Sequence, residues 1–350
     1  MAKPSFVRQN SADLRDAYAS AGVDIASGAE AVARYKDLTS AWKHAAQLEE
    51  IGGFGGLFEL PGDASKALVA STDGVGTKVL IAAHLRRYPM VGSDLVNHCV
   101  NDILVLNATP LFFLDYLALG KLDPQVAAEI VRGCYEACRK NDCALLGGET
   151  AEMPDLYDPS DFDLAGTIVG IVDRASIPKP EDVRAGDAIV GLPSKGLHTN
   201  GYTLARKLIA PSEYDAAFNG ATFAEALLAE HPSYLKAVRA IQSVARVKAM
   251  AHITGGGLIE NVPRTLPPRL KAIFEQVRWT VPPLLQELCK RAELQHDERY
   301  RIFNMGIGYT IVVPLEDAQA ALNAASGAKV VGWIEERIKE EAQVLVRPVR

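Results

Sequence analysis

The sequence predicts two mixed units of helices and strands that meet near residue 175, and three observations predict it. The chain has 350 residues, enough for two domains with separate cores at roughly 100 to 200 residues each. From Leu68 to Asp173, short β-branched or aromatic runs alternate with longer stretches of helical periodicity. Ile177-Pro178-Lys179-Pro180 then breaks any regular element, because proline removes an amide donor and fixes its own φ. The expected domains are residues 1–174 and 175–350.

In the first unit, ALVAST reads as a strand, SDLVNHCVNDILVLNA as a helix, LFFLDYLAL as a strand and PQVAAEIVRGCYEACRKN as a helix. Asp123 before Pro124 is a helix-start signal, since a carboxylate caps free amides and proline fits the first turn. Asn141 is a plausible stop for that helix, and a strand from Leu164 to Val172 closes the unit. The second unit reads as a strand at Ala188–Leu192 and a helix from Gly201 ending before Pro211. Helices at Tyr234–Ala245 and Leu284–Ala292 follow, then strands at Thr310–Val313 and Lys329–Ile334.

Hydrophobic residues at 48% and charged residues at 23% fit a globular chain, neither disordered nor fibrous. A net charge of −6 argues against nucleic acid or an anionic membrane as the main partner, since both demand clustered Lys and Arg. The five cysteines contain no paired CxxC unit, so neither a disulfide framework nor a zinc site is expected, and a reducing compartment is. The N-terminal stretch has no uninterrupted apolar run, and no segment reaches the roughly 20 apolar residues of a spanning helix. The expected location is the cytoplasm.

Ser71-Thr72-Asp73-Gly74-Val75-Gly76-Thr77-Lys78 is a strand running into a glycine-punctuated turn that holds a hydroxyl, a carboxylate and an ammonium. Such a turn can hold a cation and a phosphate together: Asp73 offers a hard oxygen, Lys78 a point charge, and the glycines let amides approach. Gly52-Gly53-Phe54-Gly55-Gly56 makes a loop able to cover a nucleotide, although a plain linker has the same composition. Asp94, Asn97, His98 and Asn101 share one helix face, with Asp102 at its border. A solvent-facing stripe has this pattern too, but this one lacks the Lys, Arg and Glu that surface helices use. Glu149 and Glu152 follow the apolar run CALL and are expected in a turn that ends a buried strand, where they could bind Mg2+ or cap a helix. Gly196-Leu197-His198-Thr199-Asn200-Gly201-Tyr202 opens a helix with a hydroxyl and an imidazole, and His252-Ile253-Thr254-Gly255-Gly256-Gly257 repeats the logic. A lone histidine is more often a satisfied core residue than a catalytic one, so neither His198 nor His252 stands out by itself; a proton-transfer role for His198 would use an imidazole that titrates near neutral pH.

Taken in order, these segments resemble the aminoimidazole ribonucleotide synthetase family, also called phosphoribosylformylglycinamidine cyclo-ligase. The resemblance runs through AGVDI at 21–25, GGFGGLFEL at 52–60, STDGVGTK at 71–78, CVNDI at 99–103 and PLFFLDY at 110–116. It continues through GGETAEMP at 147–154, GLHTNGY at 196–202, HITGGGL at 252–258 and FNMGIG at 303–308. It implies an α+β fold of two mixed α/β-layer domains, with the N-terminal sheet forming a homodimer interface and the C-terminal domain completing an ATP site. It implies ATP and Mg2+ as cofactors and a small nucleotide substrate, formylglycinamidine ribonucleotide, closed to 5-aminoimidazole ribonucleotide through an imidophosphate. Carried onto this chain, catalytic roles fall to His198, Lys78, Asp73 and Glu149, and Mg2+ to Asp73 and Asp102. ATP or substrate contacts fall to Gly52, Gly53, Phe54, Gly55, Gly56, Thr72, Thr77, Asp94, Asn101, Thr199, Asn200, His252, Thr254 and Gly255. Two departures stand out: Tyr18-Ala19-Ser20 replaces a Tyr-Lys-Asp, and Asn97-His98 stands where a smaller or more apolar pair is expected. A kinase of the wider superfamily and a non-catalytic nucleotide-binding paralogue are the competing readings; the HTNG and GGETAEMP segments argue against the first, and retention of Asp73, Asp102 and Glu149 against the second.

Overall fold

A computed structural model describes residues 25–349 together with Gly22. The AGVDI motif at 21–25 falls largely outside the described residues, as do Tyr18, Ala19 and Ser20. After helix α1 (Ile25–Ser40) come β1 (Gly56–Leu60), β2 (Asp63–Gly74), α2 (Lys78–Leu85), α3 (Tyr88–Leu104), β3 (Thr109–Leu119), α4 (Pro124–Lys140), β4 (Ala144–Glu152) and β5 (Phe162–Asp173). The five strands form one sheet in the order β1-β2-β5-β3-β4, antiparallel except for the parallel pair β3 and β4. Buried residues of α2, α3 and α4 share one core with the inward side chains of this sheet, among them Val69, Phe113, Leu117, Leu164 and Ile168.

The order continues with β6 (Ala188–Pro193), α5 (Tyr202–Leu208), a hairpin of β7 (Ala217–Phe218) and β8 (Ala221–Thr222), α6 (Phe223–Leu227), α7 (Leu235–Gln242), β9 (Ala249–His252) and α8 (Gly257–Asn261). Then follow β10 (Leu270–Glu275), α9 (Pro283–Arg291), α10 (His296–Ile302), β11 (Ile307–Val313), α11 (Ala318–Ala324), β12 (Lys329–Glu336) and β13 (Val344–Arg347). Six of these strands make a second sheet, β13-β10-β12-β6-β11-β9, so the fold is α+β with two mixed sheets. β11 is buried at all seven positions, as its near-continuous apolar sequence demands.

Helix α4 shows how sequence becomes structure here. Asp123 caps it by accepting from the amides of Gln125 at 2.9 Å and Val126 at 3.4 Å, and Asn141 stands at its C-terminal end. Ile130, Gly133, Cys134, Ala137 and Cys138 form its buried stripe at helical spacing. Glycines let α4 approach α3 almost backbone to backbone: a Cβ on Gly133 would lie 1.8 Å from the carbonyl oxygen of Pro89, and one on Gly92 2.2 Å from that of Ile130.

One strand differs from expectation. Glu149 and Glu152 do not sit in a turn after a buried strand: β4 continues through both, because its parallel register with β3 persists to Leu119 opposite Glu152. β4 is also an edge strand, and most of its residues are exposed.

Substituting Gly133→Ala forces two helix backbones apart, so urea unfolding should show a loss of about 1–3 kcal/mol or more. An unchanged midpoint would mean that the helices separate freely.

Candidate active site

The polar face of α3 is buried rather than solvated. Asp94 and Asn101 have no exposed surface, and Asn97, His98 and Asp102 are buried. The face is covered by residues 229–234, which lead into α7, and Asp94, Asn97 and Asn101 meet backbone partners there. Asp94 accepts from the His231 amide at 2.8 Å, Asn97 donates to the His231 carbonyl at 2.8 Å, and Asn101 donates to Pro232 O at 2.9 Å while accepting from the Tyr234 amide at 2.8 Å. Buried amides and carboxylates are tolerated because each is paired.

Lys78 belongs to the same internal network. Its ammonium is fully buried, 2.5 Å from Asp94 Oδ2, and donates to the carbonyls of His198 at 3.1 Å and Ala229 at 2.8 Å. Burial disfavours its charge, but Asp94 outweighs that and raises its pKa, so it stays protonated. An ammonium has three donors, and all three are used. Lys78, expected to contact phosphate, and Asp94 and Asn101, expected to contact a ligand, here join the two halves of the molecule.

Beside this network lies a cluster of carboxylates and imidazoles. Period-two alternation along β2 puts Ser71 and Asp73 on the helix-covered side, toward α3. His98 Nε2 is 2.7 Å from Asp73 Oδ2 and 3.6 Å from Asp102 Oδ2. His252 Nδ1 is 2.8 Å from Asp102 Oδ1, and Ser71 Oγ donates to Asp102 Oδ2 at 3.2 Å. On its far side, His98 Nδ1 meets Thr199 Oγ1 at 2.7 Å. Burial works against charge on His98, yet Asp73 and Asp102 prevail and raise its pKa to about 9. Burial tends to raise the Asp73 pKa, but the imidazole outweighs it and holds the carboxyl below its ordinary value. Of Asp73, Asp102, His98 and His252, Asp73 alone keeps a partly open side chain, 41% exposed.

Behind this cluster sit two more imidazoles. His231 Nε2 lies 3.0 Å from His252 Nε2, and its ring stacks on His198 at 4.0 Å between centroids. Tyr234 donates its hydroxyl to Pro193 O at 3.0 Å, so the 3.1 Å contact with His198 Nε2 is a donation from the imidazole. Burial pushes the His198 pKa well below its usual value, helped by His252 and His98. The expectation that His198 titrates near neutral pH is thus corrected: it is a neutral, weakly basic ring. His198 also adopts φ +65°, a left-handed backbone unusual outside glycine, which its packing sustains.

The glycine loop is tied to the second half of the chain. Arg264 lies 3.8 Å over the Phe54 ring and donates to Gly52 O at 3.3 Å. A cation–π contact of this kind is worth about 0.5–2 kcal/mol, enough to hold a loop while letting it open. Gly53, Gly55 and Gly56 complete that loop. Thr77 Oγ1 meets Thr203 Oγ1 at 3.2 Å, and Thr254 and Gly255 are braced by Asn261, which donates to Gly255 O at 3.0 Å. The Asn200 amide nitrogen is buried with no hydrogen-bond partner among the described residues, and its oxygen lies beside Gly255.

Two expected site residues lie elsewhere in the single chain. Thr72 alternates to the opposite face of the sheet from Asp73 and meets Thr167 Oγ1 at 2.8 Å. Glu149 stands opposite Tyr116 in the ladder, on that same open face. Sequence reading missed His231, Tyr234, Asn261 and Arg264; only the histidine carried any signal, and a lone histidine before a proline points nowhere in particular.

Comparison with known proteins identifies the family. A family model described as AIR synthase related protein, N-terminal domain, matches residues 55–172, and its C-terminal counterpart matches residues 184–345. The chain belongs to the AIR synthase related family. Its relatives include a phosphoribosylformylglycinamidine cyclo-ligase of Cupriavidus taiwanensis, 45% identical over 94% of this chain and 96% of that protein. One of the same name from Nitratidesulfovibrio vulgaris is 44% identical over 92% and 94%. Among solved structures, AaThiL complexed with AMPPCP and TMP matches with a TM-score of 0.60 at 18% identity, over 89% of this chain and 92% of that one. Escherichia coli HypE, a hydrogenase maturation protein, matches at 0.58 and 18%, over 80% and 82%. These structures share the fold.

Replacing Lys78→Met leaves the Asp94 carboxylate buried without its cation, at a cost of about 3–5 kcal/mol in chemical denaturation. If Lys78 instead contacts phosphate and is expendable to the fold, stability will hold and only the nucleotide affinity will drop.

Proposed function

We propose that this chain catalyses the reaction its relatives are named for, the ATP-dependent closure of formylglycinamidine ribonucleotide to 5-aminoimidazole ribonucleotide, ADP and phosphate. The observation that carries the reading is the convergence of Asp73 and Asp102 with the HTNG and HITGGG segments at one partly open site, in a chain about 45% identical to named cyclo-ligases along its length. The amide oxygen of the substrate is a poor leaving group. Transfer of the γ-phosphoryl of ATP to that oxygen releases ADP and makes an imidophosphate. The amidine nitrogen then attacks the same carbon, the C–O bond breaks, phosphate departs with the former amide oxygen, and the nitrogen gives up a proton.

For this chemistry the protein supplies position and compensating charge more than covalent participation. Asp73 and Asp102 are hard oxygen donors suited to Mg2+, which when bound would neutralise polyphosphate charge. The Gly52–Gly56 loop, pinned by Arg264 on Phe54, is placed to cover the nucleotide and exclude water. Thr199, Asn200, Thr254 and Gly255 line the facing side, and His252 is held by Asp102 for proton handling. His198, buried and with its pKa held well below the ordinary value, supports the floor of the site and is a poor proton acceptor.

We place the boundary between the two domains near residue 175, within the segment between β5 and β6. We also propose a homodimer through the open face of the five-stranded sheet. That face carries Phe58, Leu114 and Tyr116, each more than a third exposed, and such apolar surface favours covering. A second copy there would also enclose Thr72 and Glu149. No helix among the described residues is long and apolar enough to cross a membrane. Together with five free cysteines, this fits a place in the cytoplasm.

Purified protein given formylglycinamidine ribonucleotide, ATP and Mg2+ should release ADP together with one equivalent of a diazotisable aromatic amine. Asp73→Asn and Asp102→Asn should each lose that turnover by about 100-fold or more while keeping the fold, as expected when charge stabilisation is removed from a phosphoryl-transfer site. ADP without amine would indicate a kinase, and near-normal activity in both variants would dismiss the metal assignment. For the dimer, Leu114→Glu should convert the protein to a monomer in sedimentation; a wild-type monomer would end that reading.

A further inference from the structure

The end of α4 holds a pair of thiols that the candidate active site does not use. The helix stops in a turn closed by two backbone bonds, Cys143 N to Cys138 O at 3.0 Å and Asp142 N to Arg139 O at 3.4 Å, with Asp142 in the left-handed region at φ +55°. These two bonds make a Schellman ending, which sets the side chain after the turn against one in the last helical turn. That contact is ordinarily apolar; here it is made by the sulfurs of Cys138 and Cys143. Cys138 is buried, and Cys143 alone of the five free cysteines is not. Cys143 opens on a pocket of about 480 Å³ whose walls include Tyr135, Arg139 and Asp142. It packs beside Leu145 against the helix-covered core, so a dimer through the open sheet face leaves it accessible.

We infer that Cys138 and Cys143 are a redox-active dithiol, a modification site at which a hydroperoxide converts two thiols into one disulfide. The Cys143 sulfur attacks the terminal peroxide oxygen, the O–O bond breaks, and the other oxygen leaves as an alcohol with the thiol's proton, so that Cys143 becomes a sulfenic acid. The Cys138 sulfur then attacks the Cys143 sulfur, the S–O bond breaks, and water departs with the Cys138 proton. Two thiols lose two electrons and two protons, and the hydroperoxide is reduced to alcohol and water.

The division of roles follows from the surroundings. The Cys138 thiol hydrogen-bonds to Cys143 and lowers its pKa, against the effects of burial and of Asp142. Burial pushes the thiols of Cys134 and Cys289 up to about 12 and that of Cys99 well above its ordinary value, so these three stay protonated and unreactive. In a reducing compartment such a pair rests as thiols and oxidises transiently.

Asn141, between the two cysteines, ties this turn to the α3 interface. Its side-chain amide donates to Asn97 Oδ1 at 2.9 Å, and its Oδ1 accepts from Ser233 Oγ at 2.5 Å, so it touches both α3 and the segment docked on it. A disulfide draws the sulfurs to about 2.05 Å, well inside hydrogen-bonding separation. Asn141 is buried, and a close-packed interior transmits such a shift instead of absorbing it. Oxidation therefore loosens the docking of residues 229–234 on α3.

The test treats the full chain with hydrogen peroxide, maps its thiols and crosslinks by mass spectrometry, and follows amide exchange on the same samples. A Cys138–Cys143 crosslink is expected, lighter by two hydrogens and reversed by dithiothreitol, with the other three cysteines still thiols. Cys138→Ser should stop at a Cys143 sulfenic acid that dimedone traps, and Cys143→Ser should form neither product. In the oxidised wild type, exchange across residues 229–234 should quicken by about tenfold, the scale of one lost buried hydrogen bond. Peroxide-treated Cys143→Ser should show no such change. A disulfide between Cys134 and Cys138 overturns the inference, as does the absence of any crosslink after peroxide that fully oxidises free glutathione. Unchanged or slower exchange in protein that carries the disulfide overturns the coupling through Asn141. None of these readouts uses turnover, so their outcome is separate from that of the cyclo-ligase reading.

Discussion

The buried polar face of α3 is the contact on which the rest of the molecule depends. Asp94, Asn97 and Asn101 bind the backbone of residues 231–234, and Lys78 bonds to Asp94 and to the carbonyls of His198 and Ala229. Apart from Lys78–Asp94, these bonds reach across more than a hundred residues of sequence, so the five-stranded half and the six-stranded half are held in one register. Buried hydrogen bonds add little net energy, but each is expensive to break without replacement. The interface therefore specifies one arrangement more than it stabilises it.

That arrangement creates the site. With α3 fixed, Asp73 from the end of β2, His98 and Asp102 from the helix, Thr199 from the loop after β6, and His252 from the end of β9 meet within hydrogen-bond range. Strand β2 contributes a carboxylate, the helix a carboxylate and an imidazole, and the second half an imidazole and a hydroxyl. Arg264 extends the same principle to the glycine loop, whose Phe54 and Gly52 are gripped from the second half. That loop is thereby tied to the second half.

Legibility in the sequence followed the range of the cause. Asp123-Pro124 and Asn141 marked both ends of α4 because caps and proline act within a turn. β11 and β12 were legible from β-branched runs. Glu149 was misplaced because the glycines before it read as a turn, while the parallel pairing with β3 that carries the strand onward is a long-range effect. Likewise, the unusual composition of the α3 stripe, without Lys, Arg or Glu, marked it as something other than surface. What covers it, a segment some 130 residues later, left no local mark.

The sequence by itself determined the two-sheet organisation, the capped helices, the family and the identity of the carboxylates beside the glycine turn, because these depend on local periodicity and on motifs in order. Only the tertiary structure decided how those groups are used. It turned Lys78 and Asp94 inward as a structural pair, sent Thr72 and Glu149 to the open face, silenced His198 by burial and set His98 between two aspartates. Those outcomes are matters of burial and charge distance, and both are properties of chain segments brought together from far apart.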